Sequence, residues 1–260
     1  MSPRVIIFGA SGAVARAAAF EAQKRGATVF LAMRDTNKAI PGLTPEIEQE
    51  RGFKRVKADL SDPKSVQDAI SQSGATAAFT YIVHAVQDGL RATFDAMKKA
   101  GISHVLRFHS CGPRQEAEGV KKGEVKLLRL EAVSDYIAPE DIGSVCGVKL
   151  VEHEAESEIV PLCGPDLLTQ KEAWEIVAQA IGRDLTITEI SEKEFIAKKE
   201  EIRPSFIAHA LAEYFLGDDK ARYPADRYRE ASANIKKYTG RDPIKLSTWI
   251  KAHKKEVFNI

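Results

Sequence analysis

The segment Val5–Arg16, with the sequence VIIFGASGAVAR, constrains the fold of this chain more than any other feature. A short apolar run leads into small residues spaced G-x-x-G-x-x-A, which are Gly9, Gly12 and Ala15, and an alanine-rich helical pattern follows. Gly9 permits a tight turn out of a strand, Gly12 lets the backbone come close to a pyrophosphate, and Ala15 lets the helix pack against the strand. The segment therefore predicts the first unit of a doubly wound sheet, although an ordinary strand-to-helix turn that needs glycine also explains the spacing.

The same segment predicts where an anionic ligand binds. Phosphates would lie at the positive, amino-terminal end of the helix, where backbone N–H groups are free to donate. The predicted contacts are Gly9, Ser11, Gly12, Ala13 and Val14.

The composition excludes several classes of protein. A net charge of +1 offers no electrostatic basis for binding nucleic acid or an anionic membrane. The three cysteines, Cys111, Cys146 and Cys163, show no zinc-binding spacing, and no apolar run approaches the ~20 residues that span a bilayer. No secretory pattern precedes the glycine turn. We expect a cytoplasmic protein with reduced thiols, no metal, no nucleic acid and no membrane partner.

The first half of the chain alternates between strand and helix patterns. The predicted strands are Arg4–Phe8, Thr28–Ala32, Phe53–Lys57, Ala77–Tyr81 and His104–Phe108. The predicted helices are Ala13–Arg25, Ser65–Ser73 and Asp88–Ala100, each followed by a glycine that ends it. This succession predicts an α/β fold with a doubly wound parallel sheet.

The second half contains helices without enough strands for a second sheet. We predict strands at Lys126–Glu131 and Ile159–Cys163, and capping boxes that begin helices at Thr169 and Ser191. Further helices are predicted at Pro139–Glu152, Ser205–Leu216 and Ser247–Val257. The predicted division is a nucleotide-binding domain of residues 1–155 and a small, mainly helical C-terminal lobe of residues 156–260. The lobe is predicted to be interleaved with the sheet and to bind a substrate or a partner.

Residues after the second and third strands bear on the choice of dinucleotide. An acid after the second strand accepts the ribose hydroxyls of NAD, whereas a basic residue accommodates the additional phosphate of NADP. Arg34 and Lys38 favour NADP(H), unless they are ordinary solvated charges, and the neighbouring Asp35 opposes it. After the third strand, Asp59 is placed to reach the adenine amino group or to cap the next helix, and Leu60 to pack against the base.

The order of these blocks resembles a known family. The blocks are GASGAVAR, AMRD with Lys38, KADLSDPKSV, KKAGISHVLRFHS, DYIAPEDIGSV and PLCGPDLLTQKEAWEIVAQAIGR. They resemble the NmrA-like branch of the atypical short-chain dehydrogenases/reductases. The resemblance implies an NADP(H)-binding Rossmann domain with a small C-terminal lobe. Members of this family include reductases of small organic molecules and NADP(H)-binding redox sensors that regulate a protein partner.

Two departures, one from the wider superfamily and one from the family itself, bear on catalysis. No tyrosine has a lysine four residues later, so the Tyr-x-x-x-Lys pair used by many short-chain dehydrogenases is missing, as it often is in the NmrA-like branch. Only Cys111–Val120 follows Ser110 where the family usually has a further helix and strand. That stretch normally carries part of the substrate pocket and a helix that often forms a dimer face, so a homodimer is left open.

Hydride transfer requires a proton donor near the nicotinamide, at the carboxyl ends of the central strands. Thr80 and Tyr81 end the fourth strand, with His84 in the loop beyond, and His109 and Ser110 end the fifth. Tyr81 or His84 can donate a proton, and His109 and Ser110 can orient a carbonyl or the nicotinamide ribose. Alternatively, Tyr81 only lines the cofactor, with Thr80 and Ser110, and His109 packs in the interior.

Two main functions are therefore predicted. The first is an NADP(H)-dependent oxidoreductase that reduces a carbonyl, enone, quinone or imine of a small-molecule substrate, which Tyr81, His84 and His109 favour. The alternative is a non-catalytic redox sensor that binds NADP(H) and a protein partner, which the short segment after Ser110 favours. A cofactor-retaining enzyme that catalyses a non-redox cyclisation is a third interpretation.

Overall fold

The computed structural model describes residues 2–83, 86–108, 117–152 and 157–259. The strands are β1 (Arg4–Phe8), β2 (Thr28–Met33), β3 (Lys54–Lys57), β4 (Ala77–Tyr81), β5 (His104–Phe108), β6 (Glu124–Leu127), β7 (Val133–Ser134), β8 (Leu168–Thr169) and β9 (Thr186–Glu189). The helices are α1 (Ala13–Lys24), α2 (Pro45–Arg51), α3 (Pro63–Ser73), α4 (Arg91–Lys99), α5 (Ala117–Lys122), α6 (Pro139–Val151), α7 (Gln170–Ile181), α8 (Glu192–Glu200), α9 (Ser205–Leu216), α10 (Asp219–Arg222), α11 (Ala225–Thr239) and α12 (Leu246–Phe258).

The chain forms two compact units that each use several segments. The first unit comprises Met1–Cys111, Pro139–Ile159 and Lys237–Gly240, and the second comprises Gly112–Ala138, Val160–Lys236 and Arg241–Ile260. These units are defined by compactness and not by what each of them binds. The assignment of a cofactor-binding part before residue 155 and a substrate lobe after it stays a prediction.

The first unit is built on a parallel sheet of five strands in the order β3-β2-β1-β4-β5. Ile6 on β1 lies between Phe30 of β2 and Ala78 of β4. The strand order reverses between β1 and β4, which is the point where ligands bind in sheets of this kind. The predicted α/β fold with a parallel sheet is confirmed.

Helices cover both faces of this sheet, which explains why its strands are apolar throughout. On one face, side chains such as Val5, Ile7 and Leu31 pack with the alanines of α1. On the other face, side chains such as Ile6 and Phe8 pack with residues from α3 and α4. Packing on both faces therefore fixes the parallel strands, whose carboxyl ends all lie at the same edge of the sheet.

Helices α1 and α6 approach each other unusually closely within the first unit. A Cβ atom on Gly147 would lie 2.6 Å from Glu21 Cβ and 2.7 Å from the Ala18 carbonyl oxygen. A Cβ atom on Gly143 would overlap Ala17 Cβ and the Val14 carbonyl oxygen. Glycines one turn apart on α6 thus let its backbone rest on the small side chains of α1.

The second unit is mainly helical, as predicted, with short two-stranded sheets of β6 with β9 and of β7 with β8. The capping box at Thr169 is confirmed, because Thr169 and Glu172 exchange both bonds at the start of α7. The strand predicted at Ile159–Cys163 is wrong: residues 159–163 have no regular structure, and Ile159 is 93% exposed. No helix in the described ranges is both long and apolar enough to cross a membrane.

Candidate functional site

The turn after β1 requires glycine at position 9 for two separate reasons. Gly9 has a φ of +74°, a left-handed conformation that side chains disfavour. A Cβ atom at this position would also lie 2.7 Å from Cε1 of Tyr81, whose ring covers the turn. The Gly9 carbonyl oxygen accepts a hydrogen bond of 2.8 Å from Gly12 N–H, which closes the turn.

The amino-terminal end of α1 has no side-chain cap and no acidic residue in its first turn. Gly12 precedes the helix in an extended conformation and has no side chain with which to cap it. The first helical turn, which begins with Ala13 and Val14, carries no acidic side chain, and Ser11, Ala13 and Val14 are half-buried. A phosphate at this end would meet backbone donors and the positive end of the helix dipole.

The loop after β2 presents two exposed basic side chains, Arg34 and Lys38. The carboxylate of Asp35, between them in sequence, accepts a hydrogen bond of 2.9 Å from Asn37 N–H. Asp35 therefore stabilises its own loop by forming a local turn.

Asp59 lies next, after β3, and its carboxylate accepts hydrogen bonds from Ser61 N–H (2.9 Å) and Ser61 Oγ–H (2.6 Å). These two bonds, together with the positive charge of Arg34, hold the pKa of Asp59 below its usual range. The interpretation of Asp59 as a helix cap is wrong, because Asp62 caps α3 instead. Leu60 is buried in the core, and its carbonyl oxygen accepts a bond from Thr93.

Tyr81 ends β4 and closes this group of residues. Its side chain is 37% exposed, and burial raises its pKa, an effect that the positive charge of Arg34 opposes and the negative charge of Asp59 reinforces. Thr80 is fully buried and donates its hydroxyl to the Leu106 carbonyl oxygen at 3.2 Å. The structure thus brings Gly9, Arg34, Asp59 and Tyr81 together, whereas the Thr80 hydroxyl serves the sheet.

Several predicted residues lie outside the described ranges. These are His84, His109, Ser110 and Cys111. The two described cysteines are free thiols, and burial raises the pKa of both Cys146 and Cys163 to about 12. Among the described residues, no group of histidine, cysteine and acidic side chains could hold a metal ion.

Comparison with known proteins assigns the family. Residues 1–129, which hold the five-stranded sheet and the residues of this site, match the model of the NmrA-like family. These 129 residues therefore belong to the NmrA-like family. The chain is 28% identical to the nitrogen metabolite regulation-like protein bik4 of Gibberella fujikuroi, with 95% of each chain covered. That alignment runs over 313 positions, so bik4 contains segments with no counterpart among these 260 residues.

Solved structures share the fold of this NmrA-like chain. One is an NADPH-dependent quinone oxidoreductase from Escherichia coli, with a TM-score of 0.63, 16% identity, and 96% of this chain and 99% of that chain covered. Another is the Citrobacter sp. triphenylmethane reductase complexed with NADP(H), with a TM-score of 0.59, 15% identity, and 95% and 99% coverage. At these identities the likeness establishes a shared fold.

Proposed function

We propose that this NmrA-like protein binds NADP(H) at the carboxyl ends of β1 to β4 and is an oxidoreductase of small organic molecules. The observation that carries the proposal is the convergence of Gly9, Arg34, Asp59 and Tyr81 at that edge of one parallel sheet. The solved structures of the same fold that are named for NADP(H) support the choice of cofactor. The acceptor class is a carbonyl, enone, quinone or imine.

The described residues fit the parts of such a dinucleotide. The close approach of Tyr81 to Gly9 leaves no room for a side chain on the turn, and the first N–H groups of α1 suit the pyrophosphate. The guanidinium of Arg34 suits the 2′-phosphate, because it offers several donors in one plane. Asp59 remains ionised and can accept from the adenine amino group.

When bound, the cofactor supplies the hydride, so the protein must orient the acceptor and supply a proton. The phenol of Tyr81 holds its proton at neutral pH, because the pKa of a tyrosine is ordinarily about 10 and burial raises it further. It can therefore donate a hydrogen bond. Its position beside Arg34 and Asp59 favours contact with the cofactor as its first role. His84 and His109 stay predicted participants in proton transfer.

A redox sensor is the second candidate function. The name of the relative bik4, a nitrogen metabolite regulation-like protein, favours it, as does the missing Tyr-x-x-x-Lys pair. A sensor would use the same cofactor site but bind a protein partner without turnover. Both candidates therefore share the first test, which is cofactor binding.

The deciding experiment measures NADPH binding by its fluorescence and NADPH oxidation by its near-ultraviolet absorbance, with quinones, enones, aldehydes and cyclic imines as acceptors. Turnover that Tyr81→Phe or His84→Ala reduces supports the oxidoreductase. Tight NADPH binding with no turnover on any acceptor supports the sensor. Absence of NADPH binding contradicts both functions.

Arg34→Ala tests the choice of cofactor. We expect NADPH affinity to fall about ten- to hundredfold, because a charged hydrogen-bond partner of the phosphate is lost, and NADH affinity to change less than about twofold. Arg183→Ala, which removes an exposed arginine of the second unit, is the matched control and should change neither affinity. Equal weakening of both cofactors by Arg34→Ala would show that Arg34 does not bind the phosphate.

A further inference from the structure

Arg55 forms hydrogen bonds to the loop after β2, which carries Arg34 and Lys38. From β3, its Nη1 donates to the backbone oxygens of Thr36 at 2.5 Å and of Lys38 at 2.8 Å. Both oxygens lie in the loop that begins at Arg34. One side chain of the neighbouring strand thus holds two points of this loop, although its basic side chains are exposed.

Glu48 of α2 holds the other side of the same guanidinium. Nε and Nη2 of Arg55 donate to the two carboxylate oxygens of Glu48 at 2.8 Å and 2.5 Å. This two-point pairing fixes the plane of the guanidinium as well as its position. The Arg55 and Glu48 side chains are only 21% and 12% exposed, so water competes weakly for these bonds.

The chain between the loop and Glu48 is itself anchored. Ile40 and Leu43 are buried in the core of the first sheet face, and Leu43 N–H bonds to the Ile40 carbonyl oxygen at 3.0 Å. Thr44 then caps α2 by accepting from Ile47 N–H. Glu48 therefore stands on a segment tied to the core, and it gives Arg55 a fixed support.

Arg55 is poorly suited to bind a phosphate itself. Four of its five N–H groups are engaged by Glu48 and by the loop, and its charge is paired with the Glu48 carboxylate. Arg34 and Lys38 carry the charges that face solvent. Arg55 can therefore influence a phosphate chiefly through the position of the loop.

We infer that Arg55 is a positioning residue for cofactor selection: it holds the loop so that Arg34 and Lys38 present their charges together to the 2′-phosphate of NADP(H). The inference rests on the proposed NADP(H) site. It adds a residue of the third strand that touches neither the cofactor nor a substrate. The preference for NADPH over NADH is then a property of the Arg55–Glu48 pair as well as of the basic side chains.

The test compares the dissociation constants of NADPH and NADH for the full chain and for Arg55→Met, which keeps the apolar stem and removes every donor. We expect NADPH affinity to fall about tenfold, since the loop loses its hydrogen bonds from the Arg55 guanidinium, while NADH affinity stays within about twofold. Hydrogen exchange of the amides of residues 35–40 should become faster in the same variant.

Two further variants separate positioning from charge and from general stability. Arg55→Lys keeps the charge but not the planar fork, so NADPH affinity should fall severalfold while NADH affinity is retained. Arg25→Met removes a similarly paired arginine of the first unit, 26% exposed and bonded to Glu21 and Glu152. Arg25 precedes β2, whereas this loop follows it. Arg25→Met should leave the ratio of the two dissociation constants unchanged even if it lowers Tm.

Three other results would contradict different parts of the proposal. If Arg55→Met weakens NADPH and NADH equally, or neither, Arg55 does not select the cofactor. If Arg55→Lys keeps the full preference for NADPH over NADH, the charge of Arg55 sets that preference and its planar hydrogen bonds to the loop and to Glu48 do not. If the unmodified chain binds neither cofactor, the proposed function fails, and with it the inference.

Discussion

At the scale of single residues, the contact between Gly9 and Tyr81 links the glycine turn to the end of the fourth strand. A residue other than glycine must adopt a φ of +74° and also displace the tyrosine ring. The first demand alone costs about 1–2 kcal/mol. The second adds to it, because a Cβ atom would lie only 2.7 Å from Cε1 of the ring.

Gly9→Ala should therefore destabilise the protein more than a glycine replacement that meets only the first demand. Gly26→Ala is the matched control, since Gly26 has a φ of +85° and open space around it. We expect Gly9→Ala to lower the free energy of unfolding by at least about 1 kcal/mol more than Gly26→Ala, and to weaken NADPH binding. Urea unfolding and NADPH fluorescence measure the two effects.

Combining Gly9→Ala with Tyr81→Ala tests the cause. The double variant should recover the part of the loss that comes from the ring and keep the part that comes from φ. Identical losses for Gly9→Ala and Gly26→Ala would contradict the contact.

At this scale a backbone rule predicts the glycine turn, whereas contacts set by packing cannot be predicted from the sequence. The left-handed turn at Gly9 follows from the spacing of small residues. The buried Thr80 hydroxyl and the buried Leu60 side chain depend on neighbours in the folded sheet. The hydrogen bonds of Arg55 to its loop depend on the support of Glu48, which lies in a helix that the sequence does not predict.

At the scale of elements, the packing of α6 on α1 reverses the usual effect of replacing a helical glycine. Alanine in place of glycine inside a helix ordinarily stabilises by about 1 kcal/mol. Gly143 has no room for a methyl group, because the Val14 carbonyl oxygen and Ala17 Cβ occupy that space. The helices must separate to admit one.

Gly143→Ala should thus destabilise the protein by about 1–3 kcal/mol, as expected for overpacking, and lower its Tm. Calorimetry of the single variant and of Gly143→Ala with Ala17→Gly tests this. The change at Ala17 removes one of three contacts shorter than 3.0 Å, the others being with the backbone of Val14 and Ala18, and should restore part of the stability. A Gly143→Ala protein more stable than the original would show that the helices are free to move apart.

Element boundaries were predictable where the apolar pattern was strong. Arg4–Phe8, Ala77–Tyr81 and His104–Phe108 match the observed strands of the parallel sheet residue for residue. Helix α2 was missed because none of its residues is fully buried, and α11 because its buried face consists of only Ala231, Asn234 and Ile235. Tertiary contacts support these helices without an apolar stripe that the sequence would reveal.

At the scale of the whole molecule, the two units differ in the groups that resist ionisation. Burial raises the pKa of Tyr136, Tyr223 and Cys163, all in the second unit. In the first unit, burial does the same to the Cys146 thiol and to Tyr81. Each group is neutral when protonated, so the folded chain keeps protons that the unfolded chain releases above about pH 9.

The free energy of unfolding should therefore fall as the pH rises above about 9, and the second unit should be affected more. Trp174 and Trp249, the only two tryptophans of the chain, both belong to the second unit, so their fluorescence reports on it alone. Urea unfolding at pH 7 and pH 10 should show a larger drop in midpoint by tryptophan fluorescence than by far-ultraviolet circular dichroism.

Tyr223→Phe provides the matched variant. It removes one of the titrating groups and should reduce the pH dependence of the fluorescence midpoint. Equal midpoints at pH 7 and pH 10 would show that these groups ionise as easily in the folded chain as in the unfolded chain.

The position of α6 in the chain has a consequence for synthesis. The parallel sheet is complete once residue 108 has left the ribosome, but α6, which covers one of its faces, ends only at Val151. At ~5–20 residues per second, that face stays without α6 for roughly 2–9 s. A nascent chain of this length exposes apolar strand surface to the cell, so binding by chaperones should be strongest in this interval.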